Sequence, residues 1–179
     1  MHPDDQAWSP VNGQFTFIVD NQTVAGLMTG KSQLLDEFYV PLCKRMVEGL
    51  HWLTRLGWLP KDPNGWVVWR ERKWNRMADA YANDLLDGCD YPLTPATSAI
   101  DRNSSNLLIY SDGAKRRSGA ASSAWVIYNY RHNGGGRHTP HILVRDGFCI
   151  QDDQTTAFGA ELLALEGAVK AAIGLVFEA

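Results

Sequence analysis

The chain has 179 residues, 45% of them hydrophobic, enough for one well-packed core or at most two very small ones. A net charge of −3 excludes the global basic field of a protein that binds nucleic acid over its whole surface, so any such contact has to be local. Three cysteines (Cys43, Cys89, Cys149) without CxxC spacing argue against a disulfide framework or a zinc site, and no apolar run approaches the roughly 20 residues that span a bilayer.

The opening MHPDDQAWSP is polar and acidic where a signal peptide is basic and then apolar, so the chain reads as soluble, and the cysteine pattern leads us to expect a reducing, intracellular setting, cytoplasmic or nuclear. Residues 1–14 carry two prolines and an Asn-Gly pair and read as a lead-in. FTFIV, Phe15 to Val19, has the β-branched and aromatic content of a buried strand and ends in Asp20. NQTVAGLMTG reads as a short helix closed by Gly30. Over residues 37–57, Phe38, Leu42, Met46, Leu50, Leu53 and Leu56 recur at helical spacing, with Pro41 tolerable near the start and Gly57 as the cap. After PKDPNG come the short strand WVVW and a helix from about Asn75 to Leu86, stopped at Gly88. Residues 88–106, rich in Ser, Thr, Asn, Asp and Pro, read as a linker.

The second part opens with the strand LLIYS, turns through KRRSGA and returns as SSAWVIYNY. A glycine run at 134–136 leads to a third strand, HILVRDGFCI, and Thr155 or Thr156 caps a helix containing AELLALEGAVKAAIGLV. Three consecutive strands predict an antiparallel meander; strands separated by helices predict parallel neighbours in the same mixed sheet.

Four carboxylates sit where packing alone would not put them. Asp20 and Asp112 lie at the carboxyl ends of apolar strands, where α/β sheets place their ligand sites. Glu161 shares a helix face with Leu165, Ala168, Val169 and Ala172, and Asp79 lines up with Ala82 and Leu86. Each alone has an ordinary reading as a turn former, a helix-dipole partner or a surface residue. If the four converge, their mutual repulsion is costly unless cations fill the site, and an all-oxygen ligand set then favours a pair of Mg²⁺ or Mn²⁺ ions, able to activate water against a phosphodiester.

From Leu107 onward the chain resembles the first half of a ribonuclease H: a strand ending YSDGA, a Gly- and Ser-containing turn, two returning strands and a helix beginning AELLALEGAVKAA. FIVDNQTVAGLMTG resembles the fourth strand and following helix of that family, and WVVWRERKWNRMADAYAN its fifth strand and last helix. The resemblance implies an α/β ribonuclease H-like mixed five-stranded sheet, three antiparallel strands plus two parallel, with flanking helices. It also implies a magnesium-dependent endonuclease that cuts the RNA strand of RNA/DNA hybrids, leaving 3′-hydroxyl and 5′-phosphate ends. Asp112, Glu161, Asp20 and Asp79 are then the catalytic metal ligands, Gln22 and Asn75 substrate-binding residues. Gly113, Lys115, Arg116, Arg70 and Arg72 are the remaining substrate-contact candidates, although for Lys115 and Arg116 a solvated hairpin tip is the default reading.

The order of elements is rotated relative to the family. A circular permutant accounts for this: residues 15–87 supply the normally C-terminal elements, 107–179 the normally N-terminal ones, and 88–106 join them in a single domain over 15–179. About 19 extended residues reach roughly 60 Å, more than a domain of this size requires. A segment cut across two adjacent domains is the alternative, and either form suits a retroelement-like polyprotein whose other domains would be partners. A catalytically inactive hybrid-binding module, or a DNA-directed nuclease of the same superfamily, stands beside the leading reading. Ala157 replaces the Asn that reads the RNA 2′-hydroxyl in better-known members, the mobile His before the last helix has no counterpart, and residues 31–37 leave no room for a basic protrusion. Trp52, Trp58, Trp66, Trp69 and Trp74 are expected to pack in the core or at helix edges.

Overall fold

The computed structural model describes residues 13–34, 36–88, 105–133, 137–152 and 154–178. Most of the lead-in, most of the 88–106 linker and the 134–136 glycine run therefore lie outside the described residues.

The apolar segments form one five-stranded mixed sheet, with strands β1 (Phe15–Val19), β2 (Val67–Trp69), β3 (Ser105–Lys115), β4 (Ala121–Asn133) and β5 (Arg137–Ile150) in the order β2-β1-β3-β4-β5. β1 runs parallel to both β2 and β3, whereas β3, β4 and β5 form the antiparallel meander. The pairing of β1 with β3 joins the two parts of the sequence.

Among the described residues four α-helices flank the sheet: α1 (Gln22–Thr29), α2 (Val40–Arg55), α3 (Arg76–Leu86) and α4 (Ala157–Glu178). α1 starts where the Asn21 carboxamide oxygen accepts from the N–H groups of Thr23 and Val24, and stops at Gly30 with φ 76°. The expected 37–57 helix begins as a tight turn over Glu37–Tyr39, and Pro41 falls in the first turn of α2, where its missing N–H costs nothing. Gly57, at φ 79°, follows the last turn. Of the two candidate caps for α4, Thr156 takes the role, its hydroxyl accepting from Gly159 N–H at 3.0 Å.

Alternation along the strands divides the helices into two layers. Leu107, Ile109, Trp125 and Ile127 share a cluster with Leu42, Met46, Leu50, Leu53, Leu162, Leu165 and Val169, so α2 and α4 cover one face with α1. Ala124, on the opposite face, packs with Tyr81 and Ala82 of α3. α2 and α4 approach closely at Gly49, where a Cβ would stand 2.8 Å from Val169 Cγ1.

Two sequence expectations change. The strand expected as LLIYS runs on through Asp112 and Gly113 to Lys115, because β4 supplies a partner as far as Ala121 and the ladder continues to a tight turn closed by Gly119 at φ 95°. The five tryptophans also divide: Trp58 and Trp66 are buried in the core and Trp52 packs half-buried against it, but Trp69 and Trp74 are 38% and 46% exposed.

Candidate metal centre

The register of the two parallel strands builds the site. Ile18 of β1 pairs with Tyr110 of β3, so Asp20 comes level with Asp112 on a neighbouring strand about 5 Å away. β1 ends there while β3 continues, which leaves a notch in the sheet beside Asp112. Both side chains lie on the α3 side by the same alternation that separates the two helical layers.

Glu161 enters this notch from the other layer, and Gly113 allows it. A Cβ at that position would lie 2.3 Å from the Ala160 carbonyl carbon and 2.4 Å from the Glu161 nitrogen, so only glycine lets the first turn of α4 rest on β3. The Ser123 hydroxyl, donating to the Ala160 carbonyl at 2.7 Å, fixes that turn. One carboxylate oxygen each from Asp20, Asp112 and Glu161 then fall within 4.8 Å of one another.

Asp79 joins from α3. Its carboxylate accepts from Arg72 Nη2 at 2.9 Å, and Arg72 Nε lies 4.0 Å from Asp20, so one guanidinium spans two of the four acids. Asn75, fully buried just before α3, donates to the Ser111 carbonyl at 2.9 Å and hydrogen-bonds the Asp20 carboxylate, tying α3 to β3 and β1. Asn21 was not singled out in the sequence. It caps α1 through its oxygen and hydrogen-bonds Glu161 through its amide, and its place between Asp20 and the helix is the one available signal.

Burial sets the electrostatics. Asp112 is 3% exposed, and desolvation first, then Asp20, a hydrogen bond to Asp79 once protonated, and the charges of Asp79 and Glu161, push its carboxyl up to about 9. Glu161 is pushed up to about 7, chiefly by desolvation, with Asn21 and Arg72 pulling the other way and Asp20 adding to the rise. Asp20 is raised by burial, an effect that Arg72 partly offsets. Asp112 Oδ2 and Glu161 Oε2 are buried without hydrogen-bond partners. Acids held this way gain most from a cation that coordinates those oxygens, and an all-oxygen donor set matches Mg²⁺ or Mn²⁺.

The other sequence candidates stand around this centre or away from it. Gln22 is exposed on the first turn of α1 and borders a groove of about 350 Å³ that also runs past Lys31, Asn64 and Trp69. The indole N–H of Trp69 donates to the Asp20 carbonyl at 3.2 Å, which places an exposed aromatic beside the acids instead of in the core. Arg70 donates its backbone N–H to the Val19 carbonyl at 2.9 Å and its side chain to the Trp69 carbonyl at 3.1 Å. Lys115 donates to the Thr155 carbonyl ahead of α4, and Arg116 pairs with Asp87 beyond the end of α3. Lys115 and Arg116 thus hold helix ends in the structure.

No family model, curated protein or solved structure matches the chain. The class that the geometry defines is an α/β protein with a mixed five-stranded sheet, flanking helices and a cluster of carboxylates suited to a hard divalent cation. No described helix is long and apolar enough to cross a membrane.

Proposed function

We propose that the chain is a circularly permuted ribonuclease H-like endonuclease that hydrolyses the RNA strand of RNA/DNA hybrids with two divalent metal ions. The observation that carries this reading is the convergence of Asp20, Asp112 and Glu161, far apart in sequence, within 4.8 Å at the notch where β1 ends. Intrachain pairing of β1 with β3 supports permutation over a segment cut from two domains. Three antiparallel strands and two parallel ones also agree with the architecture that the resemblance implies.

Asp112, Glu161, Asp20 and Asp79 would hold the ions. Bound Mg²⁺ or Mn²⁺ lowers the pKa of water and neutralises charge at a leaving oxygen. Asn75 and Asn21 orient the Asp20 and Glu161 carboxylates, and Arg72 adds positive charge on the side where a phosphate approaches. The groove beside Gln22, Lys31 and Trp69 offers polar contacts and one ring face to the strand leaving the centre.

The test is incubation with a labelled RNA/DNA hybrid in millimolar Mg²⁺ or Mn²⁺, with duplex DNA and single strands alongside. Cleavage of the RNA strand that EDTA abolishes is expected; an intact hybrid in the presence of folded protein overturns the reading. Ala157, exposed in the first turn of α4 where the resemblance expects an Asn, favours one second reading: a nuclease of the same architecture directed at DNA. Cleavage of duplex DNA instead of the hybrid would select it.

A further inference from the structure

The acid cluster is already partly occupied by a cation of the chain itself. Arg72 lies on the turn Arg72–Trp74 between β2 and α3, and its guanidinium reaches Asp79 at 2.9 Å and Asp20 at 4.0 Å. Its side chain is 74% exposed, so it approaches from solvent over the mouth of the cluster and is free to leave in the same direction. Asp79 remains 30% exposed, whereas Asp20 is only 10% exposed, so the pair closes an otherwise open rim. Beneath it, the buried Asp112 Oδ2 and Glu161 Oε2 have no hydrogen-bond partner.

We infer that Arg72 is a displaceable internal counter-cation: it satisfies Asp20 and Asp79 in the metal-free protein and competes with divalent ions for them. This deepens, and rests on, the metal-centre part of the proposed function. The Arg72 guanidinium and a divalent ion both seek the Asp79 carboxylate and repel each other at close range, so metal entry and the Arg72 pairing oppose each other at Asp79. A released Arg72 stays tethered at the rim, where its planar fork suits a phosphate. An arginine fits this place better than a lysine because a fork can face two carboxylates at once.

The test is Mn²⁺ binding to the full chain, followed by isothermal calorimetry and by the loss of the free-ion electron paramagnetic signal, at pH 8 in low salt. Arg72→Ala and Arg72→Gln, both at an exposed position, should bind Mn²⁺ about threefold to fivefold more tightly than the unaltered chain, the scale of one exposed ion pair. Arg72→Lys should fall between. In an Asp79→Asn background the effect of removing Arg72 should shrink to less than half, because the main contact is already lost. Equal or weaker binding by both charge-removing variants overturns the inference and leaves the metal centre standing. Absence of Mn²⁺ binding by the unaltered chain and by the Arg72 variants alike overturns the metal centre itself. Binding without cleavage of a hybrid removes the nuclease reading alone.

Discussion

Replacing Asp112 by Asn should stabilise the metal-free protein and abolish its response to metal. In the unfolded chain this carboxyl titrates near 3.8, whereas in the folded one it is pushed up to about 9. The native state therefore holds a proton that the unfolded chain has given up, and stability falls as pH rises between these values. At about 1.4 kcal/mol per unit, the penalty relative to a neutral isostere is roughly 4 kcal/mol at pH 7 and 1 to 2 kcal/mol at pH 5, both upper bounds. Asn keeps the acceptor that takes the Gly113 N–H at 3.0 Å and puts a donor where the unpartnered Oδ2 faces Asp79. With relaxation taking up to half of the total, a gain of about 2 to 4 kcal/mol is expected at pH 7, or roughly 4 to 16 °C in Tm for a chain of this size. Thermal and urea unfolding in EDTA at pH 5 and pH 7 measures it directly. The gap between variant and parent should widen with pH, and millimolar Mg²⁺ should raise the Tm of the parent only. A variant less stable than its parent at pH 7, or a gap independent of pH, would refute the electrostatic account of the cluster.

Gly113→Ala forces a Cβ into the Ala160–Glu161 backbone and should cost about 1 to 3 kcal/mol while weakening Mn²⁺ binding, because it lifts Glu161 from the notch. Gly174→Ala is the contrasting change: an exposed position inside α4 with nothing within 4 Å of the new Cβ, it should gain about 1 kcal/mol and leave binding unaltered. Urea denaturation with calorimetric titration of both variants checks the pair, and a neutral Gly113→Ala would contradict the close approach. Asn75→Ala removes a fully buried amide that donates to the Ser111 carbonyl, and a loss of about 1 to 3 kcal/mol in chemical denaturation is expected. The same substitution should weaken Mn²⁺ binding, since Asp20 loses an orienting hydrogen bond; unchanged binding would limit Asn75 to a structural role.

Much of this was legible in the chain because periodicity and capping are local. FTFIV announces a buried strand and WVVW a short one, Gly30 closes α1, and the positions of Leu165, Ala168, Val169 and Ala172 mark the buried face of α4 that also carries Glu161. The four acids were recognisable as misplaced for the same reason: each interrupts an apolar pattern whose period is set by its own element. The tryptophans were not legible in this way, since an aromatic at a strand end reads the same whether it faces the core, as Trp66 does, or the rim, as Trp69 does. Nor was the length of β3, which depends on how far a partner strand accompanies it.

Proximity was decided only by the tertiary structure. The level of Asp20 with Asp112 follows from the parallel register of strands some ninety residues apart, and the reach of Glu161 follows from the absence of a side chain at Gly113. The raised carboxyls and the unpartnered oxygens arise when those surfaces exclude water, a property of no single residue. The pairing of Arg72 with Asp79 and Asp20 belongs to the same order of information. A sequence states which charges a chain carries, but their mutual energy depends on distance and on the surrounding medium, and folding sets both.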